Sequence, residues 1–62
     1  MPWTKYNYPV SMKNLPGPVK YKAIEIANVL LTEKNMDEGL AIAIAINRAK
    51  KWAIKQLSSD TK

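Results

Sequence analysis

The run Leu40-Ala41-Ile42-Ala43-Ile44-Ala45-Ile46 decides what this chain can become. Seven consecutive positions are apolar, and the large side chains alternate with alanine. Alternation is the strand signal, because successive strand side chains point to opposite faces. Two features outweigh it. Alanine is the best helix former and a poor strand former. No turn residue follows either, since the run continues into Asn47-Arg48-Ala49-Lys50-Lys51-Trp52. A helix over residues 38–57 is therefore predicted, with Ile42, Ala45, Ile46, Ala49 and Ala53 on its buried face.

A second helix is predicted over residues 18–34. Val19, Ala23, Ile26, Ala27 and Leu30 recur at helical spacing, and Ile24 and Leu31 widen the stripe. Lys22, Glu25, Asn28 and Glu33 fall outside it. Gly17-Pro18 reads as a start signal, with glycine at the cap and proline at the first helical position. Between the helices, Asn35 suits the left-handed conformation that ends one helix. Asp37 then caps the next, and Glu38 adds negative charge to its first turn. Gly39, inside that helix, reads as a close-packing position at a local cost of ~1 kcal/mol.

The fold class that follows is all-α: an antiparallel helix hairpin, because short connections make antiparallel neighbours. Residues 1–17 form an aromatic and proline-rich arm, with a short helical turn from Ser11 to Asn14. Residues 58–62 read as a frayed polar tail. One domain is expected from 62 residues.

The chain has no Cys and no His. That removes disulfides, thiolate metal sites, and the usual nucleophile-and-base pairings of acyl transfer. The five carboxylates are Glu25, Glu33, Asp37, Glu38 and Asp60, and no pair has metal-ligand or acid/base spacing. No catalytic, metal-binding or cofactor-binding residue is assigned, and a non-enzymatic protein is expected. The amino end lacks an apolar leader core and no apolar run reaches ~18 residues, so a cytoplasmic protein without a membrane span is expected.

The predicted second helix carries more apolar surface than a hairpin hides. Its buried face leaves out Leu40, Ile44 and Ile54. Either the arm folds back over them, through Trp3, Tyr6, Tyr8, Val10 and Leu15, or a second copy of the chain covers them. Leu40, Ile44 and Ile54, with Trp3, Tyr6 and Tyr8 as aromatic anchors, are the candidate protein interface. The function expected from this is a protein-interaction or regulatory module that self-associates.

The alternative rests on charge. Ten Lys and Arg stand against five Asp and Glu, a net charge of +5. Arg48, Lys51 and Lys55 share one helix face with Lys50 beside it, which suits a phosphate backbone. The same cations also complement the carboxyl end of a helix, and no recognised nucleic-acid module accompanies them. A membrane-surface helix is disfavoured, because two amphipathic helices in tandem bury each other. Trp52 reads as a lid on the hairpin core.

Several segments together resemble a known group. They are Met1-Pro2-Trp3-Thr4-Lys5, Tyr8-Pro9, Ser11-Met12-Lys13-Asn14-Leu15-Pro16, Lys22 to Asn28, Asp37-Glu38-Gly39, Ala41 to Ala45, Ala49-Lys50 and Trp52-Ala53. Over residues 1–54 the chain resembles short uncharacterised bacterial helical proteins. It distantly resembles ChaB-like proteins, a family named for cation-transport regulation, in the Met-Pro-aromatic start, the Leu-Pro and the acidic start of the second helix. The resemblance implies a small bacterial cytosolic helical protein and transfers no catalytic residue. Two departures stand out. Gly17-Pro18 follows Leu15-Pro16 where the group more often has acidic residues, and Leu40 stands where a basic residue is more usual.

Overall fold

Proline sets the start of the first helix. In the computed structural model, which describes residues 2–60 with side chains through Gln56, α1 runs Gly17–Thr32 and α2 runs Glu38–Asp60. A 3-10 turn at Val10–Met12 precedes them. The residue before α1 is Pro16, whose carbonyl accepts the Lys20 N–H at 2.8 Å. The start thus lies one residue earlier than the Gly-Pro signal placed it. No side chain caps this end. Proline at 18 reduces the need, since it brings no N–H to the uncapped first turn.

The connection behaves as its residues dictate. Asn35 has φ 50°, the left-handed conformation asparagine tolerates. Beyond it the Met36 N–H donates to the Leu30 carbonyl at 3.1 Å. Asp37 then caps α2, its Oδ2 accepting the Leu40 N–H at 3.3 Å. Gly39 is not a close-packing position: it is exposed, and a Cβ there would meet only Asp37 Oδ2 at an ordinary 3.5 Å. At the far end α2 continues to Asp60, past the expected stop at 57. Residues 61–62 of the expected tail lie outside the described residues.

The alternating run is helical throughout. It is alanine, not isoleucine, that occupies the centre of the contact. Ala41, Ala45 and Ala49 are fully buried, as are Ala23 and Ala27 of α1. Methyl groups at the seam let two helix axes approach closely. Val19, Ile24 and Leu30 are buried around the seam, while Ile26, Ile42, Ile46 and Ala53 pack half-buried at its flanks.

The arm completes the core. Met12 is 0% exposed and is the largest fully buried side chain described. It packs with the seam alanines, and Trp3, Tyr8 and Leu15 close over the same cluster. Burying a methionine of this kind stabilises by about 1.5–3 kcal/mol. The turn that delivers it begins at Val10 after Pro9, with no side-chain cap, so Ser11 does not play the capping part its sequence suggests. A polar clasp fixes the arm's beginning. Trp3 N–H donates to Asn28 Oδ1 at 3.0 Å, and Asn28 Nδ2 donates to the Trp3 carbonyl at 2.9 Å. Asn28 is only 3% exposed, although it falls outside the apolar stripe of α1. The arm is what buries it.

Candidate functional site

The arm divides the expected interface into two sets. Trp3 and Tyr8 turn inward and pack on the core. Tyr8 also accepts a hydrogen bond from Lys20 Nζ at 3.2 Å, with that ammonium 4.8 Å from its ring centre. These two aromatics belong to the core packing rather than to an open surface. Tyr6 does the opposite. It is 85% exposed, with the Lys5 ammonium 5.1 Å from its ring centre. Val10 is exposed as well, so neither folds back as the sequence suggested.

On α2, Leu40 is 54% and Ile54 64% exposed, whereas Ile44 is half-buried. The isoleucines are sorted by helical angle. Ile42 and Ile46 sit on the flank that reaches the core cluster. Ile44 sits on the opposite flank, about 160° from Ile42 around the helix. Leu40 and Ile54 point away from α1 altogether. Between them on that outer side stand Ala43, Asn47, Lys50 and Lys51, all exposed. Leu40, Asn47 and Ile54 are spaced by seven residues, and at ~1.5 Å rise per residue the stripe spans about 21 Å. Ala43 and Asn47 were not singled out from the sequence. Asn47 shares the face of Leu40 through the seven-residue interval, and Ala43 through a three-residue one.

Because α2 is helical over these residues, Arg48, Lys51 and Lys55 share the helix face their spacing gives, with Lys50 to one side. Arg48 faces the groove between the helices, beside Lys22, Lys34, Ile26, Val29 and Leu30. Lys50 and Lys51 border the outer stripe, and Lys55 lies one turn beyond Lys51. All four are exposed. Among the described residues the ion pair formed is Lys22 with Glu25, at 3.2 Å. That same Lys22 ammonium stands 5.4 Å from the Trp52 ring centre. Trp52 is half-buried beside Pro16, Pro18 and Val19, so its lid closes on the start of α1.

Among the described residues no group of three acidic side chains is placed to hold a metal ion, and no helix is long and apolar enough to cross a membrane. The outer face of α2 presents two branched apolar side chains, a neutral amide midway between them, and cations toward one end.

No family model and no solved structure matches the chain. It is similar to the uncharacterized protein YdaT of Bacillus subtilis (strain 168), with 53% identity over 53 residues. The match covers 86% of this chain and 35% of the relative, so the chain spans about a third of that protein's length. Similarity to an uncharacterised bacterial protein is thereby established at the level of sequence. The comparisons show no link to ChaB-like proteins.

Proposed function

We propose that the protein is a non-catalytic interaction module that works through the outer face of α2 and self-associates there, in the cytoplasm. The observation that carries this reading is the exposure of Leu40 and Ile54 on a helix whose inward side is already filled by alanine. A small chain without disulfides gains most from covering such surface. Each residue alone is ordinary surface, since scattered apolar side chains are normal on soluble proteins. Their alignment along one stripe is what supports a contact. Sedimentation over a wide concentration range tests it. The wild type sediments as a larger species at high concentration, while Leu40→Asp and Ile54→Asp remain monomeric with unchanged helix content. A wild type that stays monomeric at every concentration removes the self-association.

A second reading draws on charge. Arg48, Lys50, Lys51 and Lys55 fall within eight residues that contain no acidic side chain. Titration with duplex and single-stranded DNA at two salt concentrations tests it. Binding that falls steeply with salt supports a nucleic-acid role for these cations, and no binding at low salt removes that role.

A further inference from the structure

We infer that the groove between the helices at Arg48, with the cleft at Tyr21 that continues it, binds single-stranded nucleic acid, and that a base stacks on Tyr21. This rests on the charge-based reading given second above and names the strand form and the site. Two clefts run into one another there. One, of about 290 Å³, has Ile26, Val29 and Leu30 along its floor and Lys22, Lys34 and Arg48 around it. The other, of about 500 Å³, is lined by Tyr21, Trp52 and Pro18. Lys22 and Glu25 line both, so the track is continuous. From Pro18 to Leu30 of α1 it runs about 18 Å, at ~1.5 Å per residue.

Both ingredients of strand binding meet along this track. Arg48, Lys51 and Lys55 share one flank of α2, and Lys22 and Lys34 stand across the groove from them. The carboxylates on that side are Glu25 and Glu33, and Glu25 is already paired with Lys22 at 3.2 Å. The surplus is positive, as a groove that follows a phosphate backbone requires. At the Pro18 end the cleft turns aromatic. Tyr21 is 57% exposed, so its ring is open to a ligand. Trp52 is the half-buried wall beside it, with the Lys22 ammonium 5.4 Å from its ring centre. Any base has a flat π-face, so an aromatic platform next to a cationic track holds a strand whatever its sequence. A duplex fits this site poorly. Its base faces are hidden in the stack, and Tyr21 has nothing to meet. Because α1 packs along α2, the basic flank is part of a hairpin two helices wide. With each helix about 10 Å across, that hairpin does not enter a major groove about 12 Å wide.

Fluorescence anisotropy of a labelled oligothymidylate and of a labelled duplex, each at about 50 and 200 mM salt, tests the assignment. The unaltered protein is expected to bind the single strand on the order of tenfold more tightly than the duplex at the lower salt. Tyr21→Ala then weakens strand binding roughly tenfold with an unchanged salt slope, while Tyr21→Phe, which keeps the ring, stays within about twofold of wild type. Arg48→Gln and Lys51→Gln each lower the salt slope by about one. Tyr6→Ala removes an exposed tyrosine that lines neither cleft, and leaves strand binding within about twofold. Equal affinity for strand and duplex, or equal effects of Tyr21→Ala and Tyr6→Ala, overturns the stacking site and keeps the charge-based reading. No binding of either form at the lower salt overturns both.

Discussion

Replacing Asn28 with aspartate changes one buried amide nitrogen to oxygen and leaves the shape alone. In the native protein that amide both accepts from the Trp3 N–H and donates to the Trp3 carbonyl, at 3.0 and 2.9 Å. A carboxylate keeps the first bond and sets a negative oxygen against a carbonyl oxygen in place of the second. A protonated carboxyl donates to that carbonyl and restores both. The folded state therefore favours the proton, and the folded pKa of the introduced carboxyl is raised above the unfolded value of about 3.9. With the folded pKa raised, the folded state binds more protons, and stability relative to wild type is lost as pH rises toward that folded pKa. The deficit is near zero at about pH 4 and deepens by up to ~1.4 kcal/mol per pH unit. Its ceiling at pH 7 is about 4 kcal/mol, since the protein can always take up the proton instead of bearing the charge. For a domain of this size that ceiling corresponds to roughly 15–30 °C in Tm. The two proteins differ at this one side chain, so every other group cancels in the difference. Thermal unfolding followed by circular dichroism from pH 4 to pH 7, for wild type and N28D, reads it directly. A gap between the two that is constant with pH, or absent at pH 7, refutes the clasp as the fastening of the arm.

Met12→Ala is expected to cost about 2–5 kcal/mol in denaturant unfolding, against less than about 0.5 kcal/mol for Val10→Ala two residues away. Equal effects would mean that the arm is not part of the cooperative core. Ala45→Leu forces a larger side chain into the alanine seam and is expected to destabilise by about 1–3 kcal/mol, read as a lowered denaturation midpoint. Gly39→Ala is expected to raise stability by up to about 1 kcal/mol, because the site is open and helical. A lowered Tm there would show that the glycine has a packing role after all.

The helices were legible in the sequence because their signals are local. Alanine settled the alternating run, and Asn35 and Asp37 marked the break with the conformation and the cap they adopt. The prolines placed the start of α1 to within one residue. The arm was less legible. Which of its side chains turns inward depends on where Pro9 and the following turn deliver it. Hydrophobicity alone nominated Tyr6 and Val10, which are exposed, and passed over Met12, which is central. Asn28 was hidden for a related reason. Periodicity assigns a polar residue to solvent, and nothing in the spacing of α1 announces a backbone segment arriving from 25 residues earlier. On the outer face of α2, surplus apolar surface was readable in Leu40 and Ile54. The inward turn of Trp3, Tyr8 and Leu15 was one of the two alternatives the sequence left open, and choosing between them needed the long-range contacts.

The alanine seam leaves the hairpin with little means of knowing its own alignment. Ala41, Ala45, Ala49 and Ala53 repeat every four residues, and Ile42 and Ile46 repeat beside them. Sliding α2 by one turn, about 6 Å, sets methyl on methyl again. The correct vertical position must therefore be imposed from elsewhere, by the tight link through Asn35 and by the methionine wedged in from the arm. Lengthening that link by four residues would open a slipped hairpin as a competitor, and the arm would then be the sole arbiter between two nearly equivalent pairings.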